Sequence, residues 1–147
     1  MLTVVEKVLF LQEVDIFETA LTEDLAHIAA ITEEAEFTAG DDIYREGDIS
    51  DSMYLVIEGR VRLHQAGQEV LIALPKSAFG TWALFDDEPR VVTATTLEAT
   101  RLLKIDREDF YDLLADHTRI TQNVLKTLST RLRNLMKRVQ SDLSQKR

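Results

Sequence analysis

Residues 79–93 have the sequence Phe-Gly-Thr-Trp-Ala-Leu-Phe-Asp-Asp-Glu-Pro-Arg-Val-Val-Thr. A turn formed by an apolar residue and a glycine is followed by enough residues for one helical turn. An acidic loop comes next and ends at a proline, after which Arg90 begins a strand. This combination suits a single phosphate group, because free N–H groups at a helix start, backbone that a glycine lets approach and one arginine can all bind the same anion. The alternative is a structural turn in which Arg90 pairs with Asp86, Asp87 or Glu88.

The regions on both sides of this segment are predicted to be β-strands. From Glu34 to Ile105, short runs rich in Val, Ile, Leu and Tyr are separated by single glycines, a pattern typical of an antiparallel sandwich or roll. No two glycines are closer than seven residues, which excludes the GxGxxG and Walker patterns. The predicted strands cover residues 34–38, 42–45, 53–58, 60–65, 68–74, 91–97 and 100–105.

Both ends of the chain are predicted to be helical. Residues 4–11 form a short amphipathic pattern, and Thr22 is expected to cap a helix over 23–31. After the β region, Asp106 is expected to cap a further helix, and a long helix is predicted over about 118–144 because no Gly or Pro interrupts it.

These elements predict a mainly β protein with flanking helices that forms one domain over residues 1–147. N-terminal helices occupy 1–33, an antiparallel, jelly-roll-like β-roll occupies 34–105, and C-terminal helices occupy 106–147. The roll contains the segment 79–93.

The composition excludes most catalytic and metal chemistry. The chain has no cysteine, so disulfides, thiolate zinc sites and cysteine nucleophiles are ruled out. His27, His64 and His117 are too far apart in sequence to form an HxH or HExxH pair, and no GxSxG is present. We therefore expect that the protein is not an enzyme and that it uses neither a metal nor a cofactor.

The N-terminal sequence and the apolar runs indicate a cytoplasmic protein without membrane insertion. No uninterrupted apolar run exceeds five residues, whereas a membrane helix needs about 20. Glu6 and Lys7 interrupt the N-terminal apolar stretch, so no signal peptide is predicted.

Charge is distributed unevenly along the chain. Residues 1–118 contain 25 Asp and Glu against 9 Lys and Arg, whereas residues 119–147 contain 8 Lys and Arg and only Asp142. An acidic body repels nucleic acid at long range, so no nucleic-acid partner is expected through this chain.

Four quoted segments together resemble the cyclic nucleotide-binding domain family, which includes bacterial catabolite-activator-like regulators, kinase regulatory subunits and gated ion channels. They are Phe-Thr-Ala-Gly-Asp-Asp-Ile at 37–43, Glu-Gly-Asp at 46–48, Asp-Ser-Met-Tyr-Leu-Val-Ile-Glu-Gly-Arg-Val at 51–61, and residues 79–93. The resemblance covers nearly the whole chain and implies a β-roll that binds cyclic AMP or cyclic GMP.

In that family, the segment corresponding to 79–93 is the phosphate-binding cassette, or simply the cassette. The resemblance implies that Arg90 pairs with the cyclic phosphate and that backbone amides at Ala83 and its neighbours contact it. The cassette residues implied to surround the ligand are Phe79, Gly80, Thr81, Trp82, Ala83, Arg90, Val91, Val92 and Thr93.

The cassette departs from the family pattern at Thr81, where the family has a glutamate that accepts a hydrogen bond from the ribose 2′-hydroxyl. A hydrogen bond to a charged acceptor is worth ~1.5–3 kcal/mol, or about 10- to 150-fold in affinity. Trp82 and the pair Val91 and Val92 are larger than the usual residues and are expected to tighten the space. Two interpretations follow: a weak or altered cyclic nucleotide site, or a degenerate domain that serves in protein interaction or dimerisation.

The predicted C-terminal helix contains a short apolar seam. Its residues recur at spacings of three and four, as in a coiled coil, and the seam meets Asp142 after two heptads. The helix is therefore expected either to form a homodimer or to pack back onto the roll. The seam residues are Leu125, Leu128, Leu132, Leu135 and Val139.

In the resembled bacterial regulators, this helix dimerises and contacts the purine. The expected contact turn contains Leu135 and Met136, which are apolar and leave the choice of base open. A winged helix-turn-helix follows in those transcription factors, whereas this sequence ends at Arg147. The chain is thus expected to act alone or as the regulatory part of a larger effector.

Overall fold

Eight antiparallel strands form two four-stranded sheets in the computed structural model, which describes residues 1–145. The strand orders are β1-β8-β3-β6 and β2-β7-β4-β5. This arrangement, flanked by helices, confirms the predicted antiparallel β-roll. The strands are β1 (Thr32–Phe37), β2 (Asp42–Tyr44), β3 (Ser52–Glu58), β4 (Val61–Gln65), β5 (Gln68–Ala73), β6 (Ala78–Phe79), β7 (Thr93–Thr96) and β8 (Thr100–Asp106).

Helices precede and follow the strands, as predicted. Within the described range, none is both long and apolar enough to cross a membrane. Lys146 and Arg147, which belong to the C-terminal helical segment expected from the sequence, lie outside the described residues. The α-helices are α1 (Val4–Leu11), α2 (Thr22–Ala30), α3 (Arg107–Asp116) and α4 (Thr118–Gln145), and the 3₁₀ helices are Asp15–Phe17 and Thr81–Leu84.

Three local predictions differ from the structure. Asp106 occupies the N-cap position of α3, as expected, but its side chain makes no capping hydrogen bond. Thr22 is the first residue of α2 rather than its N-cap, because the extended backbone that precedes the helix is at Leu21, whose side chain makes no capping bond. Strand β6 was not predicted, since two residues are too few to give an alternating pattern. It pairs with β3 at Tyr54 and Leu55.

Strand β3 separates two hydrophobic cores. Successive side chains of a strand point to opposite faces, so Met53, Leu55 and Ile57 join the core beneath the helices. Tyr54 and Val56 join the second core, which lies inside the roll. Burial on both faces makes β3 the common wall of the two cores and fixes the roll relative to the helices.

Only the first half of α4 packs against the rest of the protein. Ile120, Val124 and Thr127 are buried against the N-terminal helical region and α3, whereas all described side chains after Leu128 are exposed. The alternative in which the whole seam packs back onto the roll is therefore wrong for its second half, where Leu132 and Leu135 are 60% and 56% exposed.

Candidate ligand-binding site

Arg90 is buried in the roll without a carboxylate partner among the described residues. Its side chain is 7% exposed, and its Nη2 donates a 2.6 Å hydrogen bond to the carbonyl oxygen of Ser52. Nη1 makes a longer contact, of 3.5 Å, with the carbonyl oxygen of Gly80, and the buried Nε has no hydrogen-bond partner. Burial of an uncompensated charge is costly, so the site favours an incoming anion.

The predicted alternative partners of Arg90 lie outside this arrangement. The acidic residues 86–88 are exposed, and the structure does not show the expected ion pair with any of them. The reason is the backbone: the N–H of Arg90 donates to the carbonyl of Asp48 (2.9 Å), and its carbonyl accepts from the N–H of Gly47 (2.8 Å). The side chain consequently points inward, toward β3.

Position 80 requires a glycine because of its backbone conformation and because of the atoms that surround it. Its φ is +69°, a left-handed conformation that starts the 3₁₀ helix Thr81–Leu84. A Cβ atom at this position would lie 2.7 Å from Nη1 of Arg90 and 3.4 Å from the hydroxyl oxygen of Tyr44. Glycine therefore permits both the turn and the close approach of the guanidinium group.

A cluster of three aromatic rings packs beside Arg90. The rings of Tyr54 and Phe79 are stacked at 5.4 Å, and Tyr44 lies about equally far from both, at 6.1 and 6.2 Å. The guanidinium carbon of Arg90 is 3.9 Å from the centroid of the Tyr44 ring. Burial raises the pKa of the Tyr44 hydroxyl, and the nearby positive charge of Arg90 opposes this shift only in part. The hydroxyl therefore stays neutral at neutral pH.

A cavity of about 520 Å³ lies over this arginine. The structure brings eight of the ten predicted site residues to its lining, together with Tyr44. The eight residues are Phe79, Gly80, Thr81, Trp82, Ala83, Arg90, Val91 and Val92.

The larger cassette side chains do not fill this cavity. Trp82 and Val91 are 79% and 69% exposed, respectively, and Val92 is half-buried. The expected tightening of the space is not seen, because both exposed side chains point outward at the rim.

Two predicted site residues lie elsewhere, and a third is otherwise engaged. The hydroxyl of Thr93 accepts a 3.0 Å hydrogen bond from the N–H of Glu46, and Leu135 lies on the exposed half of α4. The amide of Ala83 donates to the carbonyl of Gly80 within the 3₁₀ helix (3.1 Å). In this structure, that amide is not free for a phosphate.

A second cavity, of about 430 Å³, lies between the cassette, the segment 13–16 and α4. Leu128 and Arg131 are the α4 residues in its lining, and Arg131 forms an ion pair with Asp15. The cassette thus faces α4 one to two turns before Leu135. Four residues belong to the linings of both cavities: Leu71, Ala78, Thr81 and Trp82.

Arg107 connects the cassette to the C-terminal helices. Its Nη1 donates to the carbonyl oxygens of Ser50 (2.7 Å), Ala83 (3.1 Å) and Asp86 (2.7 Å). Sequence reasoning missed Arg107, Tyr44 and Ser52, because each acts on a distant part of the chain. For Arg107 and Ser52, the acceptors are backbone carbonyls, which have no sequence signature.

Comparison with known proteins agrees with this geometry. A family model described as "Cyclic nucleotide-binding domain" matches residues 34–117. The chain is 32% identical over 114 residues to the CRP-like cAMP-activated global transcriptional regulator of Mycobacterium tuberculosis, an alignment that covers 72% of this chain and 51% of that protein. It is 36% identical over 102 residues to the cyclic AMP receptor protein of Thermus thermophilus, with 66% and 47% covered. The chain thus spans about half the length of these relatives.

A solved structure shares the fold over most of both chains. It is the N-terminal domain of a transcriptional regulator from Streptomyces coelicolor, with a TM-score of 0.79 and 28% sequence identity over 82% of this chain and 90% of that one. The family match, the relatives and the roll with its cassette together show that the chain belongs to the cyclic nucleotide-binding domain family.

Proposed function

We propose that residues 1–147 act as a non-catalytic regulatory module whose cassette cavity binds cyclic AMP or cyclic GMP. The observation that carries this proposal is the buried guanidinium group of Arg90, which lines a cavity and has no carboxylate partner among the described residues. A cyclic phosphate brings the missing negative charge and further acceptors for its N–H groups. The names of the two relatives, which refer to cyclic AMP, support the same class of ligand.

The charges around the cavity favour a ligand of low charge. Asp86 and Glu88 line its rim, and like charges across a binding surface oppose association. A cyclic phosphodiester has one negative charge, whereas nucleoside di- and triphosphates have several. The acidic rim therefore discriminates against polyphosphates, while Arg90 attracts the single charge. We propose, for the same reason, that this acidic body does not bind nucleic acid.

The proposed output is the position of α4. Arg107 ties the end of the cassette 3₁₀ helix to the start of α3, and α3 is followed directly by α4. A ligand that draws the cassette toward its phosphate would pull on this link. An effector, on another chain or on a longer form of this protein, would respond if it has different affinities for the two positions of α4.

Isothermal titration with cyclic AMP and with cyclic GMP tests the binding proposal. We expect wild-type protein to bind at least one of them and Arg90→Gln to bind at least ten-fold more weakly, because it loses the charge-assisted contact. Arg60→Gln is the matched control, since Arg60 is exposed and lines neither cavity. Equal affinities of wild type and Arg90→Gln would contradict the role of Arg90.

The second candidate function is a ligand-free interaction and dimerisation module. Two observations favour it: Thr81 replaces the family glutamate, and α4 exposes an apolar seam. Absence of binding heat with both nucleotides at high micromolar protein, together with self-association through α4, would support this candidate over the first.

A further inference from the structure

The fold brings together two histidines that are far apart in the sequence. His27 lies in the last turn of α2, and His117 lies between α3 and α4, 90 residues later. Their ring centroids are 4.2 Å apart, with an angle of 32° between the ring planes. Sequence spacing does not indicate this pair, because residues separated by so much chain form no local motif.

The ring nitrogens of this pair are accessible to a ligand. No side-chain hydrogen bond in the described part of the chain involves the ring of His27 or of His117. In contrast, Nε2 of His64 is hydrogen-bonded to the hydroxyl group of Thr95 at 2.8 Å. His27 is exposed and His117 is half-buried, and neither residue lines the two cavities. The pair is therefore separate from the cassette.

The backbone holds both histidines in place. His27 is inside α2, and the N–H of His117 donates to the carbonyl oxygen of Leu113 in α3 (2.9 Å). The carbonyl oxygen of His117 accepts from the N–H of Ile120 in the first turn of α4 (3.1 Å). Ligands supplied by regular elements hold a site more precisely than ligands on loops. Only side-chain torsions therefore need to adjust for both rings to bind one ion.

Two neutral imidazoles at this spacing suit a divalent transition metal ion. Imidazole is a common ligand of Zn²⁺, Ni²⁺ and Cu²⁺, whereas Mg²⁺ and Ca²⁺ prefer oxygen ligands. With Zn–N bonds of about 2.0–2.1 Å, two imidazoles on a tetrahedral zinc have ring centroids roughly 5 Å apart. The observed pair is somewhat closer than this, so a small rotation of the exposed His27 ring opens the required space.

Glu23 is the carboxylate that can complete this site. It lies four residues before His27 in α2, so the two side chains share one face of the helix. Its carboxylate accepts a hydrogen bond from Nη2 of Arg119 (2.9 Å), and its side chain is 67% exposed. Arg119 also donates twice to the buried Asp24, at 2.6 and 3.0 Å. Arg119 would keep those two bonds if Glu23 turned toward a metal ion.

We propose that His27, His117 and Glu23 form a binding site for a divalent transition metal ion such as Zn²⁺, with water completing the coordination. The ion would link α2 to the residue that directly precedes α4 and would reinforce the ion pair of Arg119 with Asp24, which joins the same two helices. It would thereby hold the start of α4 in its present position. This inference does not depend on cyclic nucleotide binding, because the site shares no residue with the cassette.

Metal titration of the untagged protein tests this site. We expect isothermal titration to show a single Zn²⁺ site, and Zn²⁺, but not Mg²⁺, should raise the melting temperature. His27→Ala and His117→Ala should each weaken Zn²⁺ binding at least ten-fold, since loss of even an outer-shell partner of a metal costs about 10- to 100-fold. Glu23→Gln should weaken binding by a smaller factor, because both imidazoles remain.

His64→Ala is the matched control, because it removes the third histidine of the chain, which lies on β4. This variant should bind Zn²⁺ as wild type does. In NMR spectra of the histidine rings of wild-type protein, Zn²⁺ should shift the signals of His27 and His117 and leave those of His64 in place. This measurement needs no substitution and therefore does not depend on the folding of a variant.

Two outcomes would overturn the inference. Equal Zn²⁺ affinities of wild type, His27→Ala and His117→Ala would assign the binding to carboxylates of the acidic body. If Zn²⁺ has no effect on wild type, and both alanine variants have a lower melting temperature without metal, the pair is a packing contact between α2 and the α3–α4 junction and not a metal site.

Discussion

The guanidinium group of Arg90 lies over the face of the Tyr44 ring, with 3.9 Å between its carbon and the ring centroid. The negative face of an aromatic ring attracts a cation, so Tyr44 partly compensates a charge that has no carboxylate partner in the described part of the chain. Tyr44 is the last residue of β2, and Arg90 lies in the cassette, 46 residues later in the sequence. This contact keeps the guanidinium group oriented toward the cavity before any anion arrives.

Replacement of Tyr44 should therefore weaken ligand binding through Arg90. A cation–π contact contributes about 0.5–2 kcal/mol, so Tyr44→Leu should reduce cyclic nucleotide affinity by about 2- to 30-fold. Tyr44→Phe keeps the ring and should bind nearly as well as wild type. Isothermal titration of both variants measures the difference. Equal losses in the two variants would assign the effect to the hydroxyl group rather than to the ring.

Gly80→Ala should abolish most binding because the added methyl group meets Arg90. The new Cβ would lie 2.7 Å from Nη1, which forces the guanidinium group out of its position, and φ of +69° adds backbone strain of about 1–2 kcal/mol. Gly67→Ala is a matched control, since Gly67 has φ of +81° but no heavy atom within 4 Å of its added Cβ.

Both glycine variants should lose stability in thermal unfolding, but only Gly80→Ala should lose affinity, by at least ten-fold. If Gly67→Ala lost affinity to the same extent, general destabilisation rather than the contact with Arg90 would explain the result.

Thr81→Glu should tighten binding of a ribose-bearing ligand. Thr81 is half-buried and lines both cavities, and neither Trp82 nor Val91 closes the space beside it. A carboxylate there can accept the 2′-hydroxyl hydrogen bond, which should raise affinity by about 10-fold or more. Thr81→Gln supplies a neutral acceptor of the same length and should give a smaller gain. Weaker binding by both variants would show that the ribose does not lie beside residue 81.

The sequence predicts the strands better than the environment of the site, for a physical reason. Glycine turns and alternating apolar residues are local signals, so seven of the eight strands could be located from them, whereas β6 has only two residues. The contacts of Arg90 are non-local: Ser52 lies 38 residues away and offers a backbone carbonyl. An arginine next to three acidic residues suggests a local ion pair, and only the fold shows that its side chain points the other way.

Two hydrogen bonds to the Asp42 carboxyl group should make stability depend on pH. The hydroxyl of Thr95 donates to Asp42 (2.7 Å), and Nε of Arg45 does the same at 3.0 Å; together they lower the pKa of the Asp42 carboxyl group. Because the pKa of Asp42 is lower in the folded protein than in the unfolded chain, its ionised carboxylate stabilises the fold at pH values above the unfolded pKa, near 3.8. This stabilisation is lost as the pH falls through the folded-state pKa.

The test compares wild type with Asp42→Asn in denaturant unfolding at several pH values. Wild type should be more stable at neutral pH, and its advantage should shrink as pH falls below about 4. Thr95→Val keeps the carboxylate but removes its closer hydrogen-bond donor, so the pH-dependent part should be smaller in that variant. A difference between wild type and Asp42→Asn that stays constant from pH 7 to pH 3 would contradict this assignment.

The exposed half of α4 should mediate a parallel homodimer. Residues 129–145 extend roughly 25 Å as a helix, and the seam residues Leu132, Leu135 and Val139 are all more than half exposed. Two heptads associate weakly, so the dimer should depend on protein concentration. Leu132→Asp should abolish it in analytical ultracentrifugation, whereas Asn134→Asp, which adds the same charge off the seam, should not.

Ionic strength should strengthen this dimer. The basic residues of two parallel α4 helices repel each other, although Arg119 is paired with Asp24 and Glu23 and Arg131 is paired with Asp15. Salt screens the repulsion that remains between exposed charges, while the apolar seam does not depend on charge. The dimer fraction at a fixed concentration should therefore rise between low and physiological salt. A wild-type protein that stays monomeric at high micromolar concentration and at every salt concentration would contradict dimerisation through α4.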